Sequence, residues 1–144
     1  MQRQGWDYFK ADSSLISAYG KDQWTGPPAS GSSVADAMVV CPCTMATLAS
    51  IACGTSENLI NRAADVIIKE RKKLVLVPRE TPFSSIHLGN MLKLSDLGVV
   101  ILPPNPGFYQ GVNTVSDLVD FVVARILDQL DIPNEISPRW AAKD

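Results

Sequence analysis

From Ala35 onward the chain repeats one pattern, a short apolar run and then a longer amphipathic stretch. "AMVVCP" precedes a helical stretch from Met45 to about Cys53, and a second helical stretch, "NLINRAADVIIKER", covers Asn58–Arg71. "LVLVP" (Leu74–Pro78) leads to a helix over Ser84–Leu97. "VVILPP" leads through a loop to the helix "SDLVDFVVARILDQL", Ser116–Leu130. Short apolar runs separated by helices of such lengths predict βαβ units, with buried parallel strands covered by helices on both faces. Residues 1–33 are less regular. "LISAY" (Leu15–Tyr19) reads as a short strand, and "WTGPPASGSS" (Trp24–Ser33), with its prolines and glycines, reads as a loop. The expected fold class is α/β with a parallel sheet, and 144 residues favour a single domain, 1–144.

Each apolar run closes on a proline: Pro42, Pro78 and Pro103. Proline cannot donate to a sheet ladder, so it marks the carboxyl end of each strand. Beyond these prolines come Cys43-Thr44, Arg79-Glu80 and "PNPGFYQG". In an open α/β sheet those three places share one rim, where ligands bind. Arg79-Glu80 there reads as a guanidinium for an anion beside a carboxylate for proton transfer, or as a rim salt bridge that only holds the loop. Thr44 opens a helix. Its hydroxyl and the amides of Met45, Ala46 and Thr47 suit a ring carbonyl or a phosphate, or serve as an ordinary N-cap. Thr114 to Asp117 forms a capping-box start, and Gly98 stands where a C-terminal cap belongs.

Further candidates lie on the helices and loops. Arg125 projects from nearly the same face as Leu118, Phe121 and Val122, so it snorkels, pairs internally or awaits an anion. Arg62 and Lys69 face one way, with Asp65 between them spaced to pair with Lys69. They form a solvated face or supply cations to a phosphate. Tyr109 could donate its hydroxyl to the same anion. Trp24 walls a flat ligand or covers the core.

Composition narrows the classes. Hydrophobic residues make up 46% and charged residues 19%, a globular balance with little charged surface, which favours subunit contacts. Net charge is −2, and "KERKK" ends a helix, where cations are expected anyway, so nucleic acid is not an expected partner. No apolar run nears the roughly 20 residues of a membrane span, and "MQRQGWDYFKADSS" has no apolar leader core, so no membrane span is expected and the cytoplasm is the default. Cys41, Cys43 and Cys53, with one histidine in the chain, support a zinc site poorly; no metal is expected, and buried thiols are. There is no P-loop, no G-x-G-x-x-G and no nucleophile elbow.

Taken in order, "WTGPPASGS", "MVVCPCTMATLASIACG", "NLINRAADVIIKERKKLVLVPRETPFSSIHLGNMLKLSDLG", "VVILPPNPGFYQ" and "DLVDFVVARILDQLDIP" resemble the flavin prenyltransferases of the UbiX/Pad1 type, within the homo-oligomeric flavin-containing decarboxylase-like proteins. The resemblance spans residues 24–140, with a looser fit from about Asp7 and a tail at 131–144. It implies a three-layer Rossmann-like flavoprotein fold. It also implies transfer of a dimethylallyl group from dimethylallyl monophosphate to reduced FMN, without a metal. The prenylated flavin would serve a UbiD-type decarboxylase, as in ubiquinone biosynthesis. The implied assembly is a homo-oligomer, a dodecamer of trimers, with the site between subunits. Carried onto this sequence, the loop Cys43–Thr47, with Thr44, Met45, Ala46 and Thr47, matches flavin-binding positions, as do Arg79 and Ser30. Trp24 matches an aromatic beside flavin and prenyl group. Tyr109 and Arg125 match positions for the prenyl phosphate. Arg62, Lys69 and Glu80 match further active-site positions, Glu80 being the one suited to proton transfer to the leaving phosphate.

Two departures stand out. The family begins with a strand and a Gly-Ala-Ser-Gly type loop that have no counterpart here, so an N-terminally truncated fold is expected, with the "AMVVC" strand left as a bare edge. Gly89 falls inside a predicted helix where the family often has glutamate. Two other activities fit the wider resemblance: an FMN-dependent decarboxylase of peptidyl cysteine or phosphopantothenoyl-cysteine, and a non-catalytic flavin-binding or assembly subunit. The loop before Tyr109 lacks the Asn-x-x-Met pattern of the first.

Overall fold

The computed structural model describes residues 13–111 and 113–139, except the side chains of Ser13 and Gln110. The looser match before Ser13 and the end of the tail, 140–144, lie outside the described residues. Three strands, β1 (Ala37–Cys43), β2 (Lys73–Pro78) and β3 (Val100–Ile101), form a parallel sheet in the order β1-β2-β3. Helices α1 (Met45–Cys53) and α2 (Leu59–Lys69) connect β1 to β2, α3 (Ser85–Asp96) connects β2 to β3, and α4 (Val115–Gln129) follows β3. This is the α/β arrangement expected from alternating apolar runs and helical stretches.

The central strand explains the core. Leu74 and Leu76 join Val40, Leu48, Ile51, Ala64, Ile67, Met91 and Leu94 in one cluster. Val75 and Val77 project from the opposite face of β2 by strand alternation, and they are buried as well. A strand covered on both faces needs a continuous apolar run, and "LVLVP" is that run.

Helix starts follow from capping chemistry. Thr44, Asn58, Ser84 and Thr114 each accept a hydrogen bond from an amide three residues on. The lone histidine is used here too: Ser84 N donates to His87 Nδ1 at 3.2 Å. Gly98, just past α3, has φ +85°, a left-handed value that a residue with a Cβ resists.

Three expectations are corrected. Leu15–Tyr19 is not a strand: Ser13–Leu15 forms a 3-10 turn and Leu15 is 84% exposed, so no apolar burial holds that run against the sheet. β1 does not stop at Pro42 but runs through it to Cys43. Val40 pairs with Leu76 and Cys43 with Pro78, so three residues on β1 span what two span on β2, and the proline sits in that irregularity, where a donor is not needed. β3 is far shorter than "VVILPP". After Leu102 N donates to Leu76 O (2.8 Å), Pro103 and Pro104 have no amide hydrogens to continue the ladder. Among the described residues β1 has a strand neighbour only on its β2 side, the edge position expected for "AMVVC".

Candidate functional site

The carboxyl ends of β1 and β2 meet. Arg79 N donates to Cys43 O at 3.3 Å, directly before α1 begins. At that start, Thr47 N donates to Thr44 Oγ1 (3.2 Å), the two hydroxyls lie 3.1 Å apart, and Leu48 N donates to Thr44 O (2.9 Å). The amides of Met45 and Ala46, in the helix's first turn, have no intrahelical acceptor and carry the positive end of its dipole. Thr44 is therefore an N-cap and still leaves two donors at the rim.

Next to it, Pro78, Arg79, Glu80, Thr81, Pro82 and Phe83 line a cleft of about 370 Å³, closed by Pro103, Pro104 and Asn105. Arg79 and Glu80 form no ion pair. Glu80 Oε1 accepts from Thr81 N at 3.2 Å, and among the described residues the Arg79 guanidinium has no polar partner. The alternative of a rim salt bridge is thus not what the structure holds. Both side chains are exposed in a cleft with prolyl and phenyl walls.

A second trough, about 390 Å³, shares Pro103 and Asn105 with the first and continues along β3 and α4 past Phe121 and Val122 to Arg125. Arg125 also lines a third cavity of about 220 Å³ with Tyr109, Phe121, Asp128 and Arg139. The rim cleft and the Tyr109–Arg125 cavity are thus each neighbour to the middle trough, sharing Pro103 and Asn105 on one side and Phe121 and Arg125 on the other. Gly107 allows this close packing: a Cβ there would come within 2.9 Å of the Tyr109 ring and 3.2 Å of the Phe121 ring.

Arg62, Lys69, Ser30 and Trp24 lie elsewhere. Arg62 Nε donates to Ala29 O at 3.1 Å, and Nη1 donates to Asp65 Oδ2 at 2.8 Å. Lys69 pairs with Glu70, and a side chain at Gly31 would strike that pair. The expected Lys69–Asp65 pair is absent because the Arg62 fork takes the Asp65 carboxylate. Arg62 and Lys69 do face one way, toward the Pro27–Ser33 loop. There Ser30 caps the Gly31–Ser33 turn, its Oγ accepting from Ser32 N at 3.4 Å. Trp24 is 45% exposed and lines none of the three clefts. Within one chain the four cations Arg62, Lys69, Arg79 and Arg125 do not converge.

Asp128 and Arg139 were not anticipated. Asp128 follows Arg125 by three residues, a helical pairing distance legible in sequence. Arg139 comes from the segment beyond α4, where no local pattern marks it. The Arg139 guanidinium, aided by the Asn134 amide and the Arg125 charge, holds the Asp128 carboxyl below its ordinary value against the opposite push of partial burial. Burial pushes the Cys43 thiol up to about 11. Cys41 and Cys53 are exposed, which corrects the expectation of buried thiols.

A parallel sheet whose carboxyl edge meets a helix start and the Arg79 rim defines an α/β domain of the kind that binds ligands at that edge. Within that class, the family described as Flavoprotein matches residues 11–127, and the chain belongs to it. It is 60% identical over 134 residues to "Flavin prenyltransferase UbiX" of Pseudomonas aeruginosa, covering 93% of this chain and 64% of that one. It is 53% identical over 122 residues to "Flavin prenyltransferase UbiX" of Methanocaldococcus jannaschii, covering 85% and 66%. The chain thus spans slightly less than two thirds of the length of these relatives. Among solved structures it resembles AnUbiX (PadA1) in complex with FMN and dimethylallyl pyrophosphate, at TM-score 0.84 and 46% identity, covering 88% of this chain and 67% of that one. It also resembles a dodecameric FMN-dependent Ubix-like decarboxylase from Escherichia coli O157:H7, at TM-score 0.83 and 48% identity, covering 86% and 67%.

Proposed function

We propose that this chain forms the core of a flavin prenyltransferase, which moves a dimethylallyl group from dimethylallyl monophosphate to reduced FMN. The observation that carries the reading is a row of neighbouring clefts. One holds an exposed guanidinium and carboxylate at the rim, the next shares Pro103 and Asn105 with it, and the third, sharing Phe121 and Arg125, holds a second guanidinium and a tyrosine. The relatives named as flavin prenyltransferases support it.

The rim suits FMN in its donor chemistry. Arg79 and the amides of Met45 and Ala46 would hold carbonyl or phosphate oxygens, with Thr44 and Thr47 beside them and prolyl and phenyl walls alongside. Bound FMN would supply the nucleophilic ring that accepts the allyl group. This chain's own residues act on the departing group. Breaking the carbon–oxygen bond gathers negative charge on phosphate while the allyl fragment becomes cationic. Arg125 with Tyr109 would stabilise the anion, and the proline-rich walls would keep water from the cation. Glu80 would move a proton to the leaving phosphate. Arg62 and Lys69, with Trp24 and Ser30, would act across a subunit boundary, in an assembly of trimers forming a dodecamer; the dodecameric relative supports that arrangement. The product would pass to a UbiD-type decarboxylase, in the cytoplasm.

Incubating the protein with reduced FMN and dimethylallyl phosphate should yield a prenylated flavin by mass spectrometry. Glu80→Gln should slow turnover more than it weakens flavin binding. Flavin bound with no prenylated product would overturn the reading in favour of a binding or assembly subunit.

A further inference from the structure

Arg125 is not an isolated cation. The segment beyond α4 folds back so that three side chains converge on Asp128. Arg125 Nη1 donates to Asp128 Oδ2 at 2.8 Å, Arg139 Nη1 donates to both carboxylate oxygens at 2.8 Å, and Asn134 Nδ2 donates to Oδ1 at 3.1 Å. Arg139 Nη2 also donates to Asn134 O at 3.1 Å, which fixes the plane of the guanidinium. The Asp128 side chain is 17% exposed, whereas both arginines are 52% exposed, so the carboxylate sits behind and the two forks stand at the opening. All three line the cavity of about 220 Å³ that Tyr109 shares. Two guanidiniums on one carboxylate leave one positive charge in excess. Each guanidinium carries five N–H donors, and the bonds to Asp128 and Asn134 leave donors over on both.

We propose that Arg139 is a second cation of the phosphate subsite served by Arg125, and that Asp128 is a positioning residue holding both guanidiniums across the Tyr109 cavity. The ligand class is a phosphate monoester or the inorganic phosphate released from it. Naming that monoester as the prenyl donor rests on the proposed function. The anion site itself does not, because phosphate binding needs neither flavin nor turnover. A carboxylate beside an anion site opposes anion binding through its charge and favours it by fixing the arginines. Arg139 Nη1 spans both Asp128 oxygens while its Nη2 holds Asn134 O, and the carboxylate lies behind both guanidiniums, so the second effect is the larger.

Isothermal titration of the full chain with inorganic phosphate, at constant ionic strength, separates these effects. Arg139→Gln should weaken phosphate binding about tenfold, the loss expected for one charge-assisted hydrogen-bonding group. Arg139→Lys keeps the charge but not the fork and should recover only part of that loss. Asp128→Asn is the decisive variant. Positioning predicts weaker phosphate binding although a negative charge has been removed, whereas a carboxylate that merely competes predicts tighter binding. With dimethylallyl phosphate as donor, Arg139→Gln should raise KM with little change in kcat. No phosphate binding by the unaltered chain, unchanged affinity in Arg139→Gln, or tighter binding in Asp128→Asn each overturns the proposal. Arginine-dependent phosphate binding without any prenylated flavin would leave it standing and overturn the proposed function instead.

Discussion

Cys41, Cys43 and Cys53 differ in what covers them, and the difference is testable at single residues. Cys43 is fully buried and its thiol is pushed up to about 11, so at neutral pH it is protonated and shielded. Iodoacetamide on the native protein should label Cys41 and Cys53, read by mass spectrometry, and should reach Cys43 only after denaturation. Equal labelling of all three would contradict that burial. Sequence alone does not separate Cys41 from Cys43, because two residues apart on a regular strand they would share a face. The irregularity between Val40 and Cys43 breaks that alternation. Asp117 carries a second residue-scale prediction. Its Oδ2 accepts from the amides of Asn113 and Thr114, both at 2.8 Å, and these bonds, with the Thr114 hydroxyl, hold its carboxyl below the usual value. A carboxyl lowered by folding stabilises the fold above its unfolded pKa of about 4 and loses that contribution as pH falls through the lowered value. Asp117→Asn should therefore flatten the acid side of the stability profile, followed by circular dichroism between about pH 5 and pH 3. A profile as steep as the unaltered chain's would count against the cap. This site was legible as a capping box, since its spacing is local. The Asp128–Arg139 contact was not, since its partners are joined only by the returning chain.

Among elements, α3 offers a paired test. Leu94 is fully buried in the core cluster, while a Cβ at Gly89, on the same helix, would meet nothing within 4 Å. Leu94→Ala should cost about 2–5 kcal/mol in denaturant unfolding. Gly89→Ala should instead stabilise by up to about 1 kcal/mol, because glycine's extra backbone freedom is removed without a clash. A loss of stability in Gly89→Ala would mean the helix is covered there. Periodicity and caps located the helices well: Met45–Cys53 matches α1, and Ser84–Leu97 overshoots α3 by one residue at each end. Asn58–Arg71 overshoots α2 by one residue at its start and two at its end, and Ser116–Leu130 is shifted one residue along α4. Apolar runs were poorer guides to strand length: β3 gives out before Pro103 and Pro104, which lack amide donors, whereas β1 passes through Pro42 at an irregularity. The proposed rim was readable from prolines closing the strands, whereas the loop-facing roles of Arg62 and Lys69 depend on tertiary contacts with Ala29 and Gly31.

For the whole molecule, the exposed apolar side chains are the clearest signal. Ile86, Leu88, Leu92 and Leu97 on and just beyond α3, and Val119 on α4, are each more than half exposed. Large apolar side chains left open in this number favour contact with another surface. Sedimentation velocity at micromolar concentration should find assemblies larger than one chain, and a lone monomer would count against the proposed oligomer. The low proportion of charged residues points in the same direction from composition, but which surfaces are open depends on the packing. The sheet itself has a direction of growth. Its β3 side is short, with Pro103 and Pro104 lacking amide donors just beyond Leu102, whereas β1 presents a seven-residue border. A strand that adds to the longer border would dock alongside Ala37–Cys43, so a substitution that blocks that border should halt enlargement from that side.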